Sequence, residues 1–298
     1  MQGQEPNMQV AIHAGAAFTD EGSLLKSLQK NSEVLTQEGI AVIGPRRYRQ
    51  VFKPAFDTLG VEPADRGLLH QMQNMLPVNP DVRRTIFSSD NFVGERALAL
   101  QEGQLYPQAG RRMALLDTAY SDHQITLFLG LSNPGSFIPK LLMTLPQADR
   151  ESIIRSTDLS CLSWIGMIED IRDLAPDVQI TLWSNEDTPL IWGDIVRAMG
   201  DLNDDVALND EYDLLLSLLD DTGKSKVLGQ MDSVDGQDKA TVRESLAQIF
   251  EDHAKLDTVE EELELPGWSA EIIDAFSELY EQDLTKLETM PGVRILKP

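Results

Sequence analysis

Three short runs in this chain, Val10-Ala11-Ile12, Ile125-Thr126-Leu127-Phe128-Leu129 and Ile180-Thr181-Leu182-Trp183, contain no charged side chain. A strand open to water on one face alternates polar with apolar residues; strands as nearly all apolar as these are expected to be covered on both faces. The expected strands are Gln9–Ala14, Ala41–Ile43, Arg84–Ser88, Gln124–Leu131 and Val178–Trp183. Helical periods lie between them. Leu24, Leu25, Leu28 and Leu35 mark one side of Ser23–Gln37, and Met113, Leu115, Leu116 and Tyr120 do the same in Pro107–Tyr120. Trp164, Met167, Ile168 and Ile171 form a stripe over Ser163–Leu174, which Pro176 terminates. Strands that alternate with helices of this length imply right-handed βαβ units. The expected fold class is therefore α/β: three layers, with a mostly parallel central sheet flanked by helices.

The strand signal fades after about residue 200. Tyr212–Leu219, Lys239–Leu256 and Ser269–Leu287 read as helices, so residues 1–200 are expected to form the α/β core and 201–298 an acidic helical part packed on it. The acidity is uneven. Of a formal charge of −24, residues 201–298 carry −17. Such a chain lacks the cationic face that a phosphate backbone requires, which argues against nucleic acid as a partner. The acidic third could instead meet a basic protein partner, in which case the chain would act as a scaffold.

The one cysteine, Cys161, allows no internal disulfide and is expected to be a small buried hydrophobe. His13, His70, His123 and His253 are scattered without metal-ligand spacing, so no metal is expected. No apolar run approaches the roughly 18 residues that span a bilayer, and no basic segment leads into a long apolar one. A cytoplasmic protein without membrane contact is the expectation.

The stretch HAGAAFTDEGSLLKSL, His13 to Leu28, has a strand, a glycine and then a helix. That layout aims backbone N–H groups at one point, as phosphate cradles do. The side chains disagree. Phe18 stands where a cation is wanted, and Asp20 and Glu21 complement the helix dipole themselves. Each carboxylate would repel a phosphate 4–6 Å away by about 1–4 kcal/mol. The loop is expected to cap itself.

The same stretch resembles the 5′-phosphosulfate loop of bacterial sulfotransferases, H-x-G-x-x-K-T-G-T-[ST]-[ST]-L-Q. His13, Gly15, Thr19, Ser23 and Leu24 fall in register, and Asn31, Leu35, Gly39 and Ile40 continue it. Ile86 to Phe92 resembles the family's S-S-E strand end, with Asp90 for the glutamate. Leu131 to Lys140 resembles its 3′-phosphate segment, R-N-P-x-x-F-x-x-S, with Ser132 for the arginine and Lys140 for the serine. Trp183 to Asp187 and the tail from Leu265 to Val293 are similar to a later strand end and to the closing helix. The resemblance implies a P-loop-type, sulfotransferase-like fold and the donor 3′-phosphoadenosine 5′-phosphosulfate (PAPS). It puts donor-binding positions at Gly15, Thr19, Gly22, Ser23, Ser132 and Lys140, and a general base at Asp90, with His13 a second catalytic candidate.

The departures carry weight. The family's lysine falls on Phe18, its glycine on Asp20 and the next hydroxyls on Glu21 and Gly22. A lysine there neutralises the bridging oxygen as sulfate leaves; a phenyl ring cannot. Loss of ordinary transfer is the expectation, and an active sulfotransferase with an atypical donor site is the alternative. Arg46, Arg47, Tyr48 and Arg49 form the one dense basic cluster, placed after a strand, and are expected to meet an anionic small molecule or acceptor.

Overall fold

In the computed structural model, residues 8–59, 66–232, 239–255 and 265–298 are described. The central sheet holds β1 (Gln9–His13), β2 (Ile40–Ile43), β3 (Arg84–Ser88), β4 (Gln124–Leu131), β5 (Gln179–Ser184) and β6 (Val293–Leu296). Its order is β2-β3-β1-β4-β5-β6, and every neighbouring pair runs parallel. β1 sits inside the sheet because its apolar residues can be buried on both faces, with Val10, Ala11 and Ile12 at most 1% exposed.

One face is covered by α1 (Ser23–Lys30), α2 (Ser32–Gln37) and α8 (Thr188–Gly200), which bury Leu24, Leu28, Leu35, Trp192 and Ile195 against Ala11, Ile86, Phe128 and Trp183. Full burial of each such leucine contributes about 1.5–3 kcal/mol. The other face is covered by α3 (Arg66–Gln73), α4 (Ala109–Ala119), α5 (Pro134–Thr144), α7 (Trp164–Leu174) and α12 (Ala270–Glu288). α6 (Gln147–Ser156) has no fully buried residue and touches this core through Ile153. The α/β class and the parallel sheet flanked by helices are as expected from the sequence.

Ser23–Gln37 is two helices rather than one. Asn31 breaks it at φ −96°, ψ 16°, with its side chain drawn out of the helical line. Its amide donates to Asp210 Oδ1 at 2.8 Å and to Ser27 O at 3.0 Å, and its oxygen accepts from Asn209 N–H at 2.8 Å. This buried polar knot fastens the start of the acidic third to α1. The last third also supplies β6, which pairs with β5 from Ile180↔Val293 to Trp183↔Leu296 and which its helical reading misses. Its remaining helices, α9 (Asp213–Leu218), α10 (Asp221–Asp232) and α11 (Lys239–His253), share a small core of Leu215, Leu219, Val227, Val242 and Leu246. Arg197 of α8 holds them with two 2.7 Å hydrogen bonds to Glu211.

Cys161 is exposed, which corrects the expectation of a buried one. It sits in a 3-10 turn that Asp158 caps by accepting from Ser160 N–H, so its thiol faces outward beside Asp158. No helix among the described residues is long and apolar enough to cross a membrane.

Candidate functional site

The connection after β1 leads to one side of the sheet and the connection after β4 to the other. Where adjacent parallel strands send their loops apart, a crevice opens at their carboxyl ends. Here it is a cleft of about 540 Å³ lined by Phe18, Thr19, Ser132, Phe137, Lys140 and Glu186, with Leu214, Leu218 and Phe250 of the acidic third as a further wall. The structure thus brings together Thr19, Ser132 and Lys140 from the expected donor positions. Arg46, Arg47 and Arg49 lie elsewhere, exposed around a separate pocket beyond β2 at the sheet edge. Tyr48 is buried with Phe56 and Phe92, and its hydroxyl donates to Asn91 O at 2.8 Å. It belongs to the core rather than to an acceptor site.

The loop after β1 is turned inward by its own groups. Gly15 has φ +55°, and a Cβ there would meet the Asp90 backbone at 3.0 Å, so glycine is required by both conformation and space. Gly22 immediately precedes α1 at φ 81°, and Ser23 N–H donates to Asp20 O at 2.9 Å. The Asp20 carboxylate accepts from Gly22 N–H at 3.2 Å and Leu24 N–H at 3.0 Å. Tyr106 hydroxyl accepts from Ala17 N–H at 2.8 Å, and Thr19 Oγ1 donates to Ala16 O at 2.7 Å. These groups are the ones a phosphate cradle would offer to a ligand.

A second carboxylate stands at the start of α5. Glu186 accepts from Asn133 N–H at 2.9 Å and from Ser184 Oγ at 2.6 Å. Asn133 in turn caps α5 by accepting from Gly135 N–H at 2.8 Å. Ser132 is 7% exposed, and its carbonyl accepts from Trp164 Nε1 at 2.7 Å.

His13, Asp20 and Asp90 form a compact acid cluster. His13 is 1% exposed; its Nδ1 lies 2.9 Å from Ser88 Oγ and its Nε2 faces Asp20 at 3.8 Å. Burial lowers the His13 pKa, with the Asp20 charge opposing, which keeps the imidazole neutral. Asp90 sits against Gly15, its side chain partly open to solvent. Its carboxyl is pushed up to about 6, by desolvation first and then by the charge of Asp20 and a hydrogen bond to it. A carboxyl that holds its proton near neutrality suits proton transfer, but here the proton is shared with a neighbour that caps a helix.

The Phe18 ring presents a face that attracts cations. The Arg96 guanidinium lies 4.3 Å from its centroid and the Lys140 ammonium 4.8 Å, while Phe137 packs edge-on at 6.1 Å. Arg96 carries no local motif, and only the packing of the 3-10 turn Arg96–Leu98 brings it here. Among the described residues no group of three or more acidic, histidine or cysteine side chains is arranged to hold a metal. In comparisons with protein families, curated proteins and solved structures, nothing matched the chain.

Proposed function

We propose that the chain is a sulfotransferase-like protein of P-loop type that does not use PAPS, and that its crevice holds a different small molecule with an apolar body. One observation carries this reading. The two helix N-termini that would face the donor's phosphates are each occupied by a carboxylate of the chain itself, Asp20 at α1 and Glu186 at α5. A helix N-terminus attracts one anion well, and a second is repelled by the first. The cleft walls of Phe18, Phe137, Pro189, Leu214 and Phe250 favour an apolar occupant instead.

The test is thermal unfolding with 3′,5′-adenosine bisphosphate. The wild-type chain is expected to show no shift at millimolar nucleotide. Phe18→Lys with Asp20→Gly, Glu21→Thr and Glu186→Gln should gain a saturable one. A site that bound would stabilise the fold by about 2.7 kcal/mol at a hundredfold excess over Kd. A wild-type shift of that size would overturn the reading.

A further inference from the structure

The opposite end of the sheet carries a feature that the crevice does not explain. Pleating puts alternate residues on one face, and at the amino ends of the strands the face toward α8 is polar. Gln9 of β1 lies beside Gln124 of β4, and Thr126 of β4 beside Gln179 of β5. Thr181 of β5 lies beside Arg294 of β6. Interior strands of a parallel sheet are expected to be apolar on both faces. Here the α8 face is apolar over its middle, where Ala11, Ile86, Phe128 and Trp183 join the cluster of α8. The amino half opens into a cavity of about 450 Å³.

Arg84, at the start of β3, is 5% exposed and borders this cavity. Its Nε donates to Met199 O and its Nη1 to Gln9 Oε1, both at 2.7 Å. Its Nη2 makes no hydrogen bond, and no carboxylate lies within ion-pair distance, among the described residues. Asp201, the one acid among the described lining residues, is paired with Arg83 at 3.3 Å. Burial lowers the Arg84 pKa to about 10, with the nearby Asp201 charge opposing and the Arg83 charge adding to the fall, which still leaves the guanidinium charged at neutral pH. A buried charge is ordinarily paired, because an unpaired one is costly to desolvate. Arg294, exposed on β6, supplies a second guanidinium to the same cavity. In a chain of net charge −24, two arginines against one engaged acid make a local positive site.

We propose that this cavity is a binding site for a small oxyanion, with Arg84 and Arg294 as the charged donors and Thr126, Thr181 and the glutamines as polar partners. Guanidinium groups match carboxylate and phosphate oxygens through paired N–H donors. The volume admits a hydroxylated phosphate or carboxylate of sugar size. The site stands at the other end of the strands from the crevice and is independent of what the crevice binds.

Inorganic phosphate is the probe, with sodium chloride at equal ionic strength as the control. Amide resonances of Gln9, Thr126, Thr181 and Arg294 should shift saturably with phosphate and stay fixed with chloride. Arg294→Ala, a surface change that leaves the fold intact, should weaken binding about tenfold. Arg84→Lys keeps the charge but loses the fork and should weaken it by a similar factor. Lys140→Ala, in the crevice, should leave it unchanged. The proposal is overturned by an absence of saturable shifts at those amides, or by Arg294→Ala binding phosphate as tightly as wild type.

Discussion

Asp20→Ala removes the acceptor of two N–H bonds at the start of α1. The Asp20 side chain is only 5% exposed, so water does not readily replace it. Loss of a helix cap costs about 0.5–2 kcal/mol, and hydrogen bonds to a charged acceptor lie at the upper end of the range. An overall loss of about 1–2 kcal/mol follows, partly offset where Asp20 and Asp90 repel each other. That offset depends on pH. At pH 5 Asp90 holds its proton and hydrogen-bonds to Asp20, so the variant loses a favourable contact; at pH 7 Asp90 has lost that proton, and the variant is relieved of a like-charge contact. Urea unfolding at the two pH values, with equal m-values required, reads the difference. Destabilisation should be greater at pH 5 than at pH 7. The reverse order, or a loss below about 0.3 kcal/mol at both, would refute the assignment of Asp20 as the anion that fills this helix end.

Asp90→Asn should flatten part of the stability profile. The folded carboxyl holds its proton to about pH 6 while the unfolded one releases it near 3.8, so wild-type stability falls as pH rises through that window. Variant and wild type should agree near pH 4 and the variant should be the more stable at pH 7; parallel urea profiles would contradict this. Trp164→Ala removes a ring with no exposed surface, packed on Tyr106 and Phe137 and donating to Ser132 O. Chemical denaturation should show a loss of about 3–5 kcal/mol. Arg197→Leu breaks the paired bonds to Glu211, worth about 1.5–3 kcal/mol. Amide exchange should then quicken in α9 and α11 before it does in β1 or β4, and uniform quickening would show that Arg197 supports the whole core instead.

Much of the sheet was legible because its strands are written in apolar runs. β1, β3, β4 and β5 fall where Gln9–Ala14, Arg84–Ser88, Gln124–Leu131 and Val178–Trp183 were expected, to within a residue or so. β6 was not legible. Val293-Arg294-Ile295-Leu296 is too short to establish a period, and its exposed arginine interrupts the apolar run that marks β1, β4 and β5. The split of α1 from α2 at Asn31 depends on Asn209 and Asp210, far away in sequence. The self-capping loop was readable from Asp20 because capping is local. Glu186 at the start of α5, Arg96 over Phe18 and the buried guanidinium of Arg84 against Met199 and Gln9 are products of tertiary register, and no window of sequence contains both halves of any of them.

The place of β1 between β3 and β4 has a kinetic consequence. Gln9 meets Arg84 on one side and Gln124 on the other, so neither neighbour of this strand is near it in the chain. Long-range parallel pairings close slowly, because loop entropy is lost before contacts compensate. Until both partners have formed, Val10-Ala11-Ile12 presents two open edges, the kind of surface on which folding intermediates associate. The strand that carries the self-capped loop is thus among the last to be enclosed, and conditions that slow its enclosure should favour aggregation during refolding more than loss of the finished fold.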